Sequence, residues 1–295
     1  MDESFQVFIG DHLHKTSEMQ DKKYFVFDLD ETIGSFQDLY ALCKMLNIIQ
    51  NKCNNSVFEE STAILDDFLE LYPEFFRPGI FHILHYIFVK KQENICNGLF
   101  IYTNNQCIPE TWTQKIVHYI EKKLQITNLV NNIVLSFKIN NQIVEPKRTT
   151  QNKIYNEFIK CVMIPRNSDI CFIDNAFFPK MKKNSVYYIQ PCPYYHFLSF
   201  SQISNRFVNS SLGENFLHKT GLLGKELTNQ LEELRPTSLF TYYPPIMIHA
   251  NHYIDISKKM MYFIREYLFY KNAKKQRTVK RRSPLTNRTR KNRIG

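Results

Sequence analysis

Several features that would point to particular classes of protein are scarce or missing in this chain of 295 residues. It has only eight glycines, which argues against collagen-like and low-complexity chains, and it lacks a glycine-rich nucleotide loop. No apolar run is long enough to cross a membrane, and no charged-then-apolar signal segment stands at the amino end. Seven scattered cysteines form no Cys-x-x-Cys pair. We therefore expect a reduced, soluble, intracellular protein of the cytoplasm or nucleus, without membrane contact.

The acidic residues are missing from one part of the chain. Residues 271–295 contain 11 of the 38 Lys and Arg residues and no Asp or Glu, so the rest of the chain has 27 basic against 28 acidic residues. The net charge of +10 therefore describes a basic tail on a nearly neutral body. The tail has no apolar periodicity, and we expect it to be disordered. It could act as a nuclear-import signal, as a contact for nucleic acid or an acidic partner, or as solubilising charge.

What the sequence has in quantity is apolar material, with 43% hydrophobic residues, 24 Phe and 17 Tyr, which is enough for a large core. Short apolar runs predict buried strands, and helical spacing of apolar residues predicts helices between them. Alternation of strands and helices is typical of an α/β fold, a parallel sheet with helices on both faces. The predicted strands are 23–30, 99–103, 133–137, 170–174 and 186–189, and the predicted helices are 36–50, 61–72, 80–89, 111–124 and 153–162.

These elements suggest a division of the chain into four parts. Residues 1–22 are a polar lead-in, and residues 23–200 form the α/β domain, with a helical insertion at 33–75. Residues 201–270 form a mainly helical extension whose last helix covers about 256–270. The basic tail 271–295 follows.

Polar residues follow three of the predicted strands. The first strand ends at Asp28 and Asp30, the second at Thr103, and the fourth at Asp174 and Asn175. The carboxyl ends of parallel strands lie at one edge of a sheet, where active sites of such folds are found. Two residues apart on a strand, Asp28 and Asp30 would share a face and repel each other unless a cation or a proton is present. Magnesium with oxygen ligands fits this need, and the pair could then serve as nucleophile and acid/base.

The segment Asp28-Leu-Asp-Glu-Thr32 resembles the first motif of haloacid dehalogenase phosphatases. Other segments resemble, in the same order, motifs of the RNA polymerase II C-terminal-domain phosphatases and their small relatives, over roughly residues 20–200. The resemblance implies a haloacid-dehalogenase-like Rossmannoid sheet. These segments are Phe76-Arg-Pro-Gly79, Thr103 after Leu-Phe-Ile-Tyr, Phe172-Ile-Asp-Asn175 and Asn184-Ser-Val-Tyr-Tyr-Ile-Gln-Pro191.

The resemblance also implies roles for individual residues. Asp28 would be the nucleophile that is transiently phosphorylated, and Asp30 the general acid and base. Lys153, at a helix start, is our choice for the lysine that binds phosphate, and Lys147 is the second choice. Magnesium would be held by Asp28, the backbone carbonyl of Asp30, Asp174 and Asn175, and Thr103 would bind the phosphoryl oxygens.

Two departures from the family pattern bear on the substrate. The segment between Thr32 and Arg77 is predicted to be helical, whereas the relatives carry a mainly β insertion there; a helical insertion resembles phosphatase-like proteins of large DNA viruses. Asn175 is followed by Ala-Phe-Phe instead of Ser-Pro. We therefore expect a magnesium-dependent phosphatase that acts on phosphoserine or phosphothreonine of a protein. The alternatives are a phosphatase of nucleic-acid ends or nucleotides with the same mechanism, and an inactive scaffold that binds partners.

Overall fold

A six-stranded sheet lies at the centre of the protein, and its order is β1-β8-β7-β2-β3-β4. The computed structural model describes residues 5–14, 22–54, 62–107, 111–237, 239 and 250–281. Within the sheet all neighbours are parallel except β1, which pairs antiparallel with β8. The strands are β1 Phe5–Ile9, β2 Lys23–Phe27, β3 Gly98–Tyr102, β4 Asn132–Val134, β7 Asp169–Ile173 and β8 Val186–Pro191, while β5 Lys138–Ile139 and β6 Gln142–Ile143 form a separate small hairpin.

Helices connect most of the parallel strands, as the alternating sequence pattern predicts, while a loop with a short 3-10 turn leads from β7 to β8. Among the described residues, two helices lie between β2 and Arg77, and four follow β8. Within the described residues, no helix is both long and apolar enough to cross a membrane. The helices are α1 Gln37–Asn54, α2 Thr62–Leu71, α3 Ile80–Gln92, α4 Trp112–Leu124, α5 Tyr155–Val162, α6 Phe200–Val208, α7 Ser211–Thr220, α8 Gly224–Leu234 and α9 Ala250–Arg281.

The two faces of the sheet are covered very unequally. Successive side chains of a strand point to opposite faces, so Phe25 and Phe27 of β2 enter one core while Tyr24 and Val26 enter the other. The first core also receives buried side chains from α1–α4 and α6–α9. In the second core α5 supplies the α-helical residues, and its Phe158 packs against two rings of β3, edge-on to Phe100 and stacked on Tyr102. The sheet is therefore embedded on one side and covered by an eight-residue helix on the other.

Strand β1 was not predicted from the sequence. Its five residues lie in the segment that we interpreted as a polar lead-in, and they pair with β8 from Phe5 opposite Pro191 to Ile9 opposite Tyr187. A short strand at the edge of a sheet needs few buried residues, and β1 is only half-buried. Its apolar content alone therefore gave no clear signal.

The final helix extends further than expected. We predicted a helix over about 256–270 followed by a disordered tail, but α9 continues to Arg281. Residues 271–281 are mostly Lys, Arg, Gln and Ala and contain no Gly or Pro, so nothing in them ends a helix that has already formed. The rest of the predicted tail, residues 282–295, lies outside the described residues.

Candidate active site

The register of the central strands brings the predicted site residues together at one edge of the sheet. Phe27 of β2 lies opposite Ile173 of β7, so the next residues, Asp28 and Asp174, leave the sheet side by side. The backbone N–H of Asp28 donates to the Ile173 carbonyl at 2.9 Å. On the other side of β2, strand β3 ends immediately before Thr103.

A buried lysine bridges the two aspartates. Lys153 is 2% exposed, and its Nζ lies 2.5 Å from Asp28 Oδ1 and 2.7 Å from Asp174 Oδ2. Burial opposes its charge, but the carboxylates of Asp174 and Asp28 outweigh this effect and raise the pKa of Lys153. Burial also raises the pKa of Asp174, against the effect of the lysine. Lys147, the second choice, is exposed and lies outside the cleft.

Asp30 occupies an environment that favours its protonated form. Its Oδ2 accepts a hydrogen bond of 2.8 Å from the Asn105 amide, while its Oδ1 is buried and has no partner among the described residues. Burial, and then the nearby Asp28 carboxylate, raise the pKa of Asp30 to about 7. A carboxyl group with this pKa can both give and take a proton near neutral pH.

Asn175 is held by the loop that follows the first strand. The Thr32 hydroxyl donates to Asn175 Oδ1 at 2.9 Å and accepts from the Asn175 backbone N–H at 3.0 Å. Asn175 Nδ2 points to a carboxylate oxygen of Glu31 at 3.4 Å. Burial, followed by Asp28, raises the pKa of Glu31. The sequence interpretation did not assign a role to either Glu31 or Thr32.

Arg77 holds the same loop, residues 31–32, through hydrogen bonds to its backbone carbonyls. It is 1% exposed, and its Nε donates to the Thr32 carbonyl at 2.7 Å. Its Nη2 donates to the carbonyls of Glu31 at 2.6 Å and Cys192 at 2.8 Å. We had noted Arg77 only as part of a motif resemblance. The structure places it where it ties the loop after Asp30 to the segment after β8.

These side chains surround a cleft of about 250 Å³. Its wall holds four carboxylates against one cation, Lys153. The uncharged lining includes hydroxyl and amide groups that can donate hydrogen bonds to an anion or contribute oxygen ligands to a metal. The lining residues are Asp28, Asp30, Glu31, Gln37, Thr103, Asn104, Asn105, Lys153, Asp174, Asn175, Ala176 and Phe178.

The donor set of the cleft fits magnesium. Asp28, Asp174 and the amide of Asn175 offer hard oxygen ligands, and the excess of negative charge favours a cation. No three carboxylate, imidazole or thiol side chains form a preassembled metal cluster in the described parts of the chain. Magnesium does not require one, because it commonly keeps several waters and takes one or two carboxylates. The side-chain oxygen of Asn175, Oδ1, already accepts a hydrogen bond from the Thr32 hydroxyl, but its second lone pair can still coordinate a metal.

Two further residues of this region had no role assigned from the sequence, although Asn105 belongs to the polar end of the second predicted strand. Asn105 contacts Asp30, and Arg148, buried behind the loop of Thr103, donates to the carbonyl of Thr103. Both acquire their partners through contacts between distant segments, which no local spacing predicts.

Comparisons with known proteins add little. No family model matches the sequence, and no curated protein matches it. One solved structure is similar, the HAD-hydrolase YfnB from Bacillus subtilis, determined bound to magnesium. The identity is 14%, the similarity covers 53% of this chain and 81% of that one, and the TM-score is 0.28. At this TM-score the likeness supports no conclusion about activity.

Proposed function

We propose that the protein is a magnesium-dependent phosphomonoester hydrolase that acts through an aspartyl-phosphate on Asp28. The observation that carries this proposal is the arrangement in one cleft of a carboxylate beside a buried ammonium and a second carboxyl group with a pKa of about 7, Asp30. This is the set of groups needed for nucleophilic attack, charge neutralisation and proton transfer. The resemblance of residues 28–32 to the first motif of haloacid dehalogenase phosphatases points to the same chemistry.

In the first step an Asp28 carboxylate oxygen attacks phosphorus and the bond from phosphorus to the leaving oxygen breaks. Asp30 in its protonated form gives its proton to that oxygen, which departs as an alcohol. The Lys153 ammonium, 2.5 Å from Asp28 Oδ1, offsets negative charge next to the transferring group. The Thr103 hydroxyl, which already accepts from the Asn105 backbone N–H, can donate its hydrogen to a phosphoryl oxygen.

In the second step a water molecule attacks the phosphorus of the aspartyl-phosphate. Asp30, now ionised, takes a proton from that water, and the bond between phosphorus and the Asp28 oxygen breaks. Inorganic phosphate leaves, and both aspartates return to their starting states. The raised pKa of Asp30 suits both steps, since the same group must release a proton and then accept one.

Asp28, the backbone carbonyl of Asp30, Asp174 and Asn175 would hold the magnesium ion. When bound, the ion supplies positive charge beside the transferring phosphoryl group. Besides offsetting charge at the phosphoryl group, Lys153 holds the Asp28 and Asp174 carboxylates close together and neutralises part of their charge.

Protein phosphoserine or phosphothreonine is the substrate that we propose, on the strength of the motif resemblance to C-terminal-domain phosphatases. A phosphorylated nucleic-acid end is the second candidate, and the basic residues of 271–295 favour it because they would attract a polyanion. The same basic residues support a nuclear location or an acidic partner. An inactive scaffold would have no need for the Asp28, Asp30 and Lys153 arrangement, so we rank it last.

The test of the reaction is phosphate release from an aryl phosphate, from phosphopeptides and from phosphorylated oligonucleotides, with and without magnesium. We expect turnover to vanish in excess chelator and to return with magnesium, whereas calcium should inhibit because its looser coordination misplaces the nucleophile. Turnover that persists in excess chelator would rule out the metal-dependent mechanism.

Substitution of the two aspartates separates their roles. Asp28→Asn should abolish turnover, because the amide cannot attack phosphorus. Asp30→Asn should lower kcat by about 10²–10⁴-fold, the usual contribution of acid–base catalysis. Asp67→Asn, an exposed aspartate on α2, is the matched control and should keep the wild-type rate. An Asp30→Asn protein as active as that control would exclude Asp30 as the acid and base.

A further inference from the structure

Arg148 is one of the largest fully buried side chains of the protein, and the proposed reaction does not use it. In the sequence, Arg148 stands between the hairpin β5–β6 and helix α5, on the segment that leads to Lys153. Burial lowers its pKa from the ordinary arginine value, although a guanidinium remains charged in proteins. A buried charge that is held mainly by uncharged oxygens is costly, so its position calls for an explanation.

The guanidinium joins two loops of the cleft. Nη1 donates to the carbonyls of Thr103 at 3.0 Å and Leu135 at 2.6 Å. Nη2 donates to the Gln151 carbonyl at 3.0 Å, two residues before Lys153. The planar fork of an arginine can hold several acceptors at fixed angles, which a lysine cannot do. The loop that carries Thr103 and the loop that carries Lys153 are therefore held together by one side chain.

The same loops are also linked through Tyr102. Its ring lies 4.8 Å from the Arg148 guanidinium carbon and 5.7 Å from Lys153 Nζ. Its hydroxyl accepts a hydrogen bond of 3.1 Å from the Ile154 backbone N–H. Arg148 and Lys153 thus both pack against the Tyr102 ring. A shift of the Arg148 guanidinium would therefore move this ring and change the position of the Lys153 ammonium.

A further contact of Arg148 orients a side chain in the cleft wall. Nη2 lies 2.7 Å from Asn104 Oδ1, and the acceptor must be the amide oxygen because a guanidinium only donates. Asn104 lines the cleft, and in the described part of the chain its Nδ2 has no hydrogen-bond partner. The oxygen is therefore engaged, and the amide nitrogen remains available as a donor.

We propose that Asn104 is a second side-chain donor to the phosphoryl group and that Arg148 is the positioning residue that orients it and holds the Thr103 and Lys153 loops together. This inference rests on the proposed phosphohydrolase function and adds to it a binding residue and its support. Loss of the Asn104 amide removes one hydrogen bond to an anion, whereas loss of Arg148 also releases the loops.

The test uses the full-length protein and measures the affinity for inorganic phosphate by calorimetry, together with kcat and KM for an aryl phosphate and the melting temperature. Asn104→Ala should weaken phosphate binding about tenfold, the usual effect of one hydrogen bond to a charged group, with little change in melting temperature. Arg148→Met should weaken it at least as much. The double variant should bind no more weakly than Arg148→Met, because Asn104 depends on Arg148 for its orientation. Arg148→Lys should recover less than half of the lost affinity.

Arg206→Met is the matched control. Arg206 donates to the Leu71 carbonyl and to both carboxylate oxygens of Glu74, outside the cleft lining, so its loss should lower the melting temperature and leave phosphate affinity unchanged. Wild-type phosphate affinity in Asn104→Ala would overturn the proposal even if Arg148→Met does not fold. Effects of the two single changes that multiply in the double variant would also overturn it. A protein that binds phosphate through Asn104 but hydrolyses no phosphomonoester would instead contradict the proposed function alone.

Discussion

Single residues at strand ends were the most predictable part of the site. Asp28, Thr103 and Asp174 could be identified from the sequence because each follows an apolar strand, and the parallel register then aligns the strand ends. Lys153 was selected over Lys147 by resemblance, and its placement beside Asp28 is a tertiary outcome. Asn105 could be placed only as one of the polar residues that end the second strand, with no role of its own, and Arg148 gave no signal, because an arginine after a turn is usually solvated. Their burial depends on segments more than 40 residues away.

The raised pKa of Asp30 gives a prediction for stability in the absence of metal. The ordinary pKa of an aspartate is 3.8, and that of folded Asp30 is about 7. Between these values the folded protein binds a proton that the unfolded chain has released, so the free energy of unfolding should fall as pH rises from about 4 to about 7. The raised pKa values of Asp174 and Glu31 act in the same direction. One such proton contributes at most about 1.4 kcal/mol per pH unit.

Urea unfolding in chelator across this pH range measures the slope. Asp30→Asn should reduce the slope, because one of the titrating groups is gone, and the exposed Asp67→Asn should leave it unchanged. An equal slope in wild type and Asp30→Asn would mean that Asp30 is ionised in the folded protein throughout the range.

At the scale of elements, long periodic segments were predicted well and short edge elements were not. The helices over 36–50, 61–72, 80–89 and 111–124 are present as α1–α4, with small differences at their ends. The third strand was predicted as 133–137 and is Asn132–Val134. The hairpin β5–β6 was missed because its strands have two residues each, too few to establish a period. Strand β1 was missed because it stands in a segment that is otherwise mostly polar.

Helix α9 connects the end of the chain to the loop of the proposed nucleophile. Its Tyr253 ring lies 5.9 Å from the Arg77 guanidinium carbon, and its Ser257 hydroxyl donates to the Pro78 carbonyl at 2.5 Å. Further along, the Tyr267 hydroxyl donates to the Asp169 carbonyl at 2.8 Å, at the start of β7. The helix therefore crosses the sheet on the side of the first core, from the carboxyl ends of the strands, where the candidate site lies, to their amino ends.

Two isoleucines of α9 allow its packing to be tested. Ile264 is 0% exposed and Ile254 is 39% exposed. Ile264→Ala should lower the free energy of unfolding by about 2–5 kcal/mol, as expected for a fully buried side chain, and Ile254→Ala by less than about 1 kcal/mol. Denaturant unfolding of the two variants measures the difference. Equal losses would show that α9 is not packed as described.

At the scale of the whole molecule, the charge and the core are separated along the chain. Among the α9 residues whose side chains the structure describes, which end at Phe269, the last buried one is Leu268, whereas 11 of the basic residues lie at 271–295. The buried side chains described for α9 thus all precede the basic segment, whose first part continues the helix. The division into a catalytic body and a basic segment stays a prediction from sequence.

A chain that ends at Tyr270 tests this division. We expect it to fold and to hydrolyse an aryl phosphate at the full-length rate, because the cleft residues and the α9 side chains described as buried are retained. Any affinity for DNA or RNA should be lost on truncation, and in the full-length protein it should fall steeply with salt, because each neutralised phosphate releases counterions. Turnover, binding across a salt series and distribution in cells are the measurements. A large loss of aryl phosphate turnover would show that residues after Tyr270 shape the active site.

The unequal covering of the two faces of the sheet has a consequence for thiol chemistry. None of the seven cysteines, all of which lie in the described residues, forms a disulfide bond, and they range from the exposed Cys53 to Cys171, which is fully buried in β7. Cys161 lies on α5, the helix that covers the second core, and Cys171 packs into the first core. A thiol reagent should therefore modify Cys53 at once, Cys161 when α5 detaches, and Cys171 only when the sheet itself opens. The order and rates of alkylation, measured by mass spectrometry on the wild-type protein, would give the rates at which α5 detaches and the sheet opens.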